Sequence, residues 1–176
     1  AVVALEESRF RAIVIANGVL PDPAHFERMA EAQQRSPDPT SFARWQAHAA
    51  AARELRCGDI IADGIPSIAG ETGIRLSPGE RAAYDAPFPD ASYQAGALVF
   101  PSLVQPEKLG AEGVGLFNTG WRVLEKWQKP FFTAFGKADP ILGFFDSLFQ
   151  KYVPGAKGRK HREFPNGTHF IQEQES

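Results

Sequence analysis

Apolar and polar positions change rhythm twice along this chain. Residues 10–18, FRAIVIANG, place Ile13, Val14 and Ile15 consecutively, which predicts a strand buried on both faces and closed by the turn pair Asn17-Gly18. Upstream, residues 1–7 read as the last turns of a helix. From residue 20 to about residue 128 the pattern is helical throughout, with no convincing strand. DPAHFERMAEAQQRS predicts a helix with Asp22 as N-cap and Pro23 at its first position. DPTSFARWQAHAAAAREL predicts a second, opened by the Asp38 to Ser41 cluster and closed near Gly58. SPGERAAYDAPF opens a third with Ser77, Pro78 and a capping-box Glu80. PDASYQAGALVFPSLV carries a fourth that stops at Pro101, and GVGLFNTGWRVLEKWQ a fifth, amphipathic one. Strand signals then return. PFFTAFG reads as a strand, FFDSLFQKYV as a helix, GRKHREFPNG as containing a strand, and THFIQEQES as the start of an element that stops abruptly.

Strand, helical insertion, strand, helix, strand is the outline of an α/β sheet with an inserted helical subdomain. The division falls at residues 1–19 with 129–176 for the sheet part, and 20–128 for the helical subdomain. Parallel strands joined by helices place ligands at their carboxyl ends. Asn17, Asp139 and His169 all lie at or just past such ends, as does the insertion. A cap of helices there would close a cavity over them.

Composition narrows the class. With 43% apolar and 23% charged residues and a net charge of −2, the chain is globular, not disordered, and lacks the basic excess of a nucleic-acid binder. The basic run from Lys157 to Arg162 reads as a solvated loop or strand edge. Cys57 is the single cysteine, so no internal disulfide can form, and a reducing compartment such as the cytoplasm fits. Its surroundings carry no signature of a catalytic thiol. No segment reaches the roughly 18 apolar residues of a membrane span. The first residues lack a signal-peptide pattern, and a start without Met, already in helical rhythm, reads as a chain entered partway through an element. His25, His48 and His161 fall in separate elements without metal-ligand spacing, so no metal is expected. The glycine-rich residues 110–115 follow no apolar strand and read as a loop.

KPFFTAFGKADPILG ends an apolar run in Gly136 and delivers Asp139 just before a proline. PNGTHFIQE delivers His169 after a small-residue turn. A carboxylate and an imidazole at neighbouring strand ends suit an acid and a base of one site.

With those residues in hand, the chain resembles the haloalkane dehalogenases of the α/β-hydrolase fold, nearly end to end. RFRAIVIANGVLPD is similar to the family strand leading into the cap, and SFARWQ to the cap helix carrying a halide-binding Trp, here Trp45. AAYDAPFPDASYQAGALVFPSLV is the most specific stretch; FFTAFGKADPILG resembles the strand ending in the triad acid, Asp139, and NGTHFIQE the segment carrying the base, His169. The resemblance implies that Phe42, Phe100, Pro101, Val104 and Ile141 line an apolar pocket for a small halogenated or other apolar organic substrate. It also implies halide as product and no cofactor.

One departure is mild and two are serious. Thr168 stands where many members have Gly before the His. The family's nucleophilic Asp, in an Asp-Trp-Gly-Gly type of sequence, is absent, as is part of the helix after the His. The chain thus resembles the C-terminal half or somewhat more of a member, and is expected to be inactive alone. Two other readings stand beside this one. An epoxide hydrolase would want cap phenols such as Tyr84 and Tyr93 facing the pocket. A non-catalytic fragment would self-associate, with residues 10–18 as an exposed edge strand.

Overall fold

A computed structural model describes residues 6–64, 74–104 and 106–174. The first five residues of the expected N-terminal helix lie outside that set; Glu7–Arg9 form a single 3-10 turn. Three strands, β1 (Ile13–Ala16), β2 (Phe131–Gly136) and β3 (Arg162–Phe164), form one parallel sheet in the order β1-β2-β3. The register pairs Ile13 with Phe131 and Gly136 with Phe164, which aligns the carboxyl ends where Asp139 and His169 follow. All the described helices between β1 and β2 fall inside the expected insertion. They are α1 (Phe26–Gln33), α2 (Ser41–Ala51), α3 (Cys57–Asp63), α4 (Pro78–Asp85), α5 (Ala95–Leu103) and α6 (Pro106–Leu124). A seventh, α7 (Asp146–Tyr152), joins β2 to β3.

Aromatic rings build the core. Phe131 and Phe135 of β2, Phe149 of α7 and Trp127 are 1% exposed or less. The Phe149 ring stacks on Trp121 at 5.7 Å and on Phe131 at 5.6 Å. The same cluster takes in Ala32 of α1 and Trp121 and Leu124 of α6, so the insertion is anchored to the sheet by its first and last helices.

Several sequence expectations are corrected. Val14 is 68% exposed although Ile13 and Ile15 pack on the core. Among the described residues β1 pairs with β2 alone, and its side chains alternate between partly buried and exposed, so a strand expected to be covered on both faces is covered on one. Asp22 does not cap a helix at Pro23. Its carboxylate is buried and takes His25 Nδ1 at 3.1 Å and Arg28 Nη1 at 3.3 Å, so α1 starts later, at Phe26. A carboxylate removed from water needs such partners. The second helix ends at Ala51 rather than near Gly58. Gly58 instead lies in α3 against the backbone of α4, where an added Cβ would sit 2.5 Å from Arg81 O. Pro101 does not stop the fourth helix; it is buried within α5, and Gln46 of α2 donates to its carbonyl at 2.7 Å. Of residues 110–115 only Gly110, at φ 64°, leaves helical conformation, so this stretch is a kink in α6 and not a loop. Phe144 and Phe145 stand in the turn before α7, not in the helix. The third helix is as expected: Ser77 Oγ accepts from Glu80 N and Glu80 Oε2 accepts from Ser77 N. No described helix is long and apolar enough to cross a membrane.

Candidate active site

Asp139 is 0% exposed. It follows β2 after one turn, closed by Asp139 N donating to Gly136 O at 3.2 Å. Its Oδ1 accepts from Ile141 N at 2.8 Å, a turn closed across Pro140 that fixes the carboxylate's direction. Its Oδ2 meets His169 Nδ1 at 2.9 Å. A carboxylate only accepts, so the shared proton belongs to Nδ1 and the lone pair of the neutral ring lies on Nε2. Phe170 packs edge-on against the imidazole at 5.2 Å.

His169 opens on a cavity of about 520 Å³. Phe42, Trp45, Val104 and Ile141 line it together with His169. Its remaining walls are mostly apolar, with Phe26, Met29, Leu142 and Phe144 among them. Phe100 and Pro101 are not among its lining residues. Pro101 turns inward toward α2, and Phe100, one residue before it, is left 66% exposed. A second, polar cavity of about 320 Å³ lies on the other side of Asp139, between Arg35, Lys137, Asp146 and Glu163.

What ties α2 to the segment after Asp139 was not visible in the sequence. Ser36 Oγ and Ser41 Oγ both donate to Pro140 O, each at 2.9 Å. The start of α2 is fastened in turn by Asp38, which accepts from Thr40 N at 3.2 Å and pairs with Arg44. The Arg44 guanidinium and the Thr40 hydroxyl bring the Asp38 carboxyl down to about 2. Phe42 and Trp45 ride on this turn of helix. Asp22 was also read only as a cap, yet it lines the cavity with both oxygens held by His25 and Arg28.

The three tryptophans divide by the use of their N–H. Trp121 Nε1 donates to Leu20 O and Pro21 O, at 3.1 and 3.0 Å, and Trp127 Nε1 to Pro130 O at 3.5 Å. Among the described residues Trp45 Nε1 has no hydrogen-bond partner, although its ring lies on the cavity wall and stacks on His48 at 5.7 Å. Neither tyrosine of the epoxide reading lines the cavity. Tyr93 is 62% exposed, and the Tyr84 hydroxyl donates to Glu173, whose carboxylate pushes the phenol's pKa up. Burial raises the pKa of the Cys57 thiol, the wrong direction for a nucleophile. Among the described residues no group of His, Cys, Asp and Glu could hold a metal ion.

No family model matches the chain. The haloalkane dehalogenase of Mycolicibacterium paratuberculosis is 40% identical over 172 residues, covering 98% of this chain and 50% of its own length. That of Psychrobacter cryohalolentis is 35% identical over 173 residues, 97% of this chain and 50% of its own. Among solved structures, the tetrameric haloalkane dehalogenase DpaA of Paraglaciecola agarilytica NO2 superposes with a TM-score of 0.70 at 21% identity, over 98% of this chain and 52% of that one. The chain therefore spans about half the length of the curated relatives it matches. It belongs to the haloalkane dehalogenase family, and its sheet and flanking helices are part of an α/β-hydrolase fold.

Proposed function

We propose that this chain supplies the cap, the acid, the base and one halide-binding indole of a haloalkane dehalogenase. In that reaction a carboxylate displaces halide from an sp3 carbon, and water hydrolyses the alkyl ester so formed. The observation that carries the reading is the Asp139–His169 pair at 2.9 Å, on the wall of an apolar cavity that Trp45 also lines. His169 Nε2 is the base that takes the proton of the hydrolytic water. Asp139 holds the tautomer and balances the imidazolium. Trp45 Nε1–H, a neutral donor, meets the charge gathering on the leaving halide without trapping it as a full cation would. Phe42, Val104 and Ile141 shape the room for a small halogenated alkane. Residues 20–128 form the cap, and 1–19 with 129–176 a part of the core.

The cavity's own described carboxylate, Asp22, is a poor nucleophile because Arg28 and His25 occupy its oxygens. The chain on its own is thus expected to bind haloalkane without turning it over. Titrating bromobutane into the labelled chain should shift the Trp45 Nε1–H and Ile141 methyl resonances and release no bromide above background. An undisturbed Trp45 signal would sink the assignment of the cavity. Bromide release that disappears in His169→Ala would overturn the predicted inactivity.

The open side of β1 supports a second proposal, association with another copy. Its backbone groups face no strand among the described residues, and Val14 stands exposed beside them. Such an edge templates pairing, and a lysine on it discourages pairing. Sedimentation should show a dimer that grows with concentration and is lost in Val14→Lys. A wild-type chain that stays monomeric at high concentration would refute it.

A further inference from the structure

Among the described residues Asn17 is the only one besides glycine with a positive φ, 34°. Asparagine tolerates that region better than most side chains, yet the conformation still carries a cost. The side chain uses it to reach three distant backbone groups. Nδ2 donates to Thr168 O at 2.8 Å and to His169 O at 3.0 Å, and Oδ1 accepts from Gly136 N at 2.8 Å. Two carbonyls on one end and an N–H on the other admit only one orientation of the amide.

We propose that Asn17 is a positioning residue that sets the separation of Asp139 and His169, an inference that rests on their reading as acid and base. The register explains why. β1 ends at Ala16, opposite Ala134, while β2 runs on to Gly136. The Gly136 N–H therefore has no strand residue to bond, and the Asn17 amide takes the place of one. Gly136 O in turn closes the turn to Asp139. The other end of the same amide grips the backbone of the base. One planar group thus spans the two catalytic elements.

The neighbouring bonds limit what its loss would do. Lys137 N to Phe164 O at 2.9 Å, Ala138 N to Gly167 O at 3.0 Å, and Thr168 N to Gln174 Oε1 at 2.7 Å do not involve Asn17. The first two keep the β3 exit attached to β2 when the amide is removed. Only the last step, to His169, is released.

Asn17→Gly separates the clamp from the backbone shape, because glycine adopts positive φ without strain. Asn17→Asp keeps the acceptor for Gly136 but turns an oxygen onto the two carbonyls. The readout is the downfield Nδ1–H proton of His169 in the NMR spectrum of the whole chain, which Asp139→Asn should abolish. Both Asn17 variants should lose or broaden it while far-UV circular dichroism stays that of the wild type. In the wild type, Gly136 N–H exchange should be slowed by at least about tenfold, the factor one hydrogen bond supplies. A folded Asn17→Gly that keeps the Nδ1–H resonance overturns the proposal. So does an unprotected Gly136 amide in the wild type, which decides the matter even if the variants fail to fold. A wild-type spectrum with no such resonance would instead overturn the acid–base pair, and the clamp's role with it. Haloalkane turnover enters none of these readouts, so a failure of the dehalogenase assignment remains distinguishable.

Discussion

Phe149→Ala is expected to destabilise the fold by about 3–5 kcal/mol, the range of a buried aromatic truncated to Ala. The ring is 0% exposed and lies between Trp121 and Phe131, stacked on both. Those partners come from the last helix of the insertion and from the central strand. Removing the ring therefore opens a cavity between two rigid walls that cannot collapse onto each other. Aromatic stacking adds to the loss beyond area alone. Phe149→Leu, which keeps most of the volume, should cost far less, at most about 1.5 kcal/mol. Urea unfolding should show a lower midpoint with an unchanged slope in both variants. A loss for Phe149→Ala no larger than that for Phe149→Leu would mean that the stack contributes little.

Gly136→Ala is the second large effect, and it reaches the site. A Cβ on Gly136 would lie 2.3 Å from Gly167 O, 2.6 Å from Gly167 C and 2.7 Å from Ile171 Cγ2. The first two are backbone atoms, so no rotamer change relieves the contact. The strand end and the β3 exit must separate, at a cost of about 3 kcal/mol, the upper end of ordinary overpacking. That separation pulls apart the two segments carrying Asp139 and His169. The variant should unfold at lower urea and lose the His169 Nδ1–H resonance even where it remains folded. Wild-type stability with the resonance intact would show that the two strand ends can part freely.

The site was legible in part, and the parts that failed have a common origin. Asp139 was readable because it follows an apolar strand segment and a turn, and His169 because it follows a small-residue turn, both local signals. Trp45, Phe42, Val104 and Ile141 followed from resemblance along stretches whose order is preserved, and the structure gathers them in one cavity. Phe100 did not follow, because which way a helix residue faces depends on the packing of α5 against α2, not on its neighbours in sequence. The phenols of the competing epoxide reading were equally visible in the sequence, and the structure places them elsewhere.

By itself the sequence determined the order of the three strands, the capping box of α4, the helical character of the insertion and the strand ends that Asp139 and His169 follow. These rest on periodicity and short-range hydrogen bonds, which span a few residues. Only the tertiary structure decided that Asp22 is a buried, paired carboxylate, that Val14 is left on an open face, and that Ser36 and Ser41 tie α2 and the turn before it to Pro140 O. It alone placed the Asn17 amide across Gly136, Thr168 and His169. Those contacts join residues far apart in the chain, and buried polar groups take whichever partner folding brings within reach.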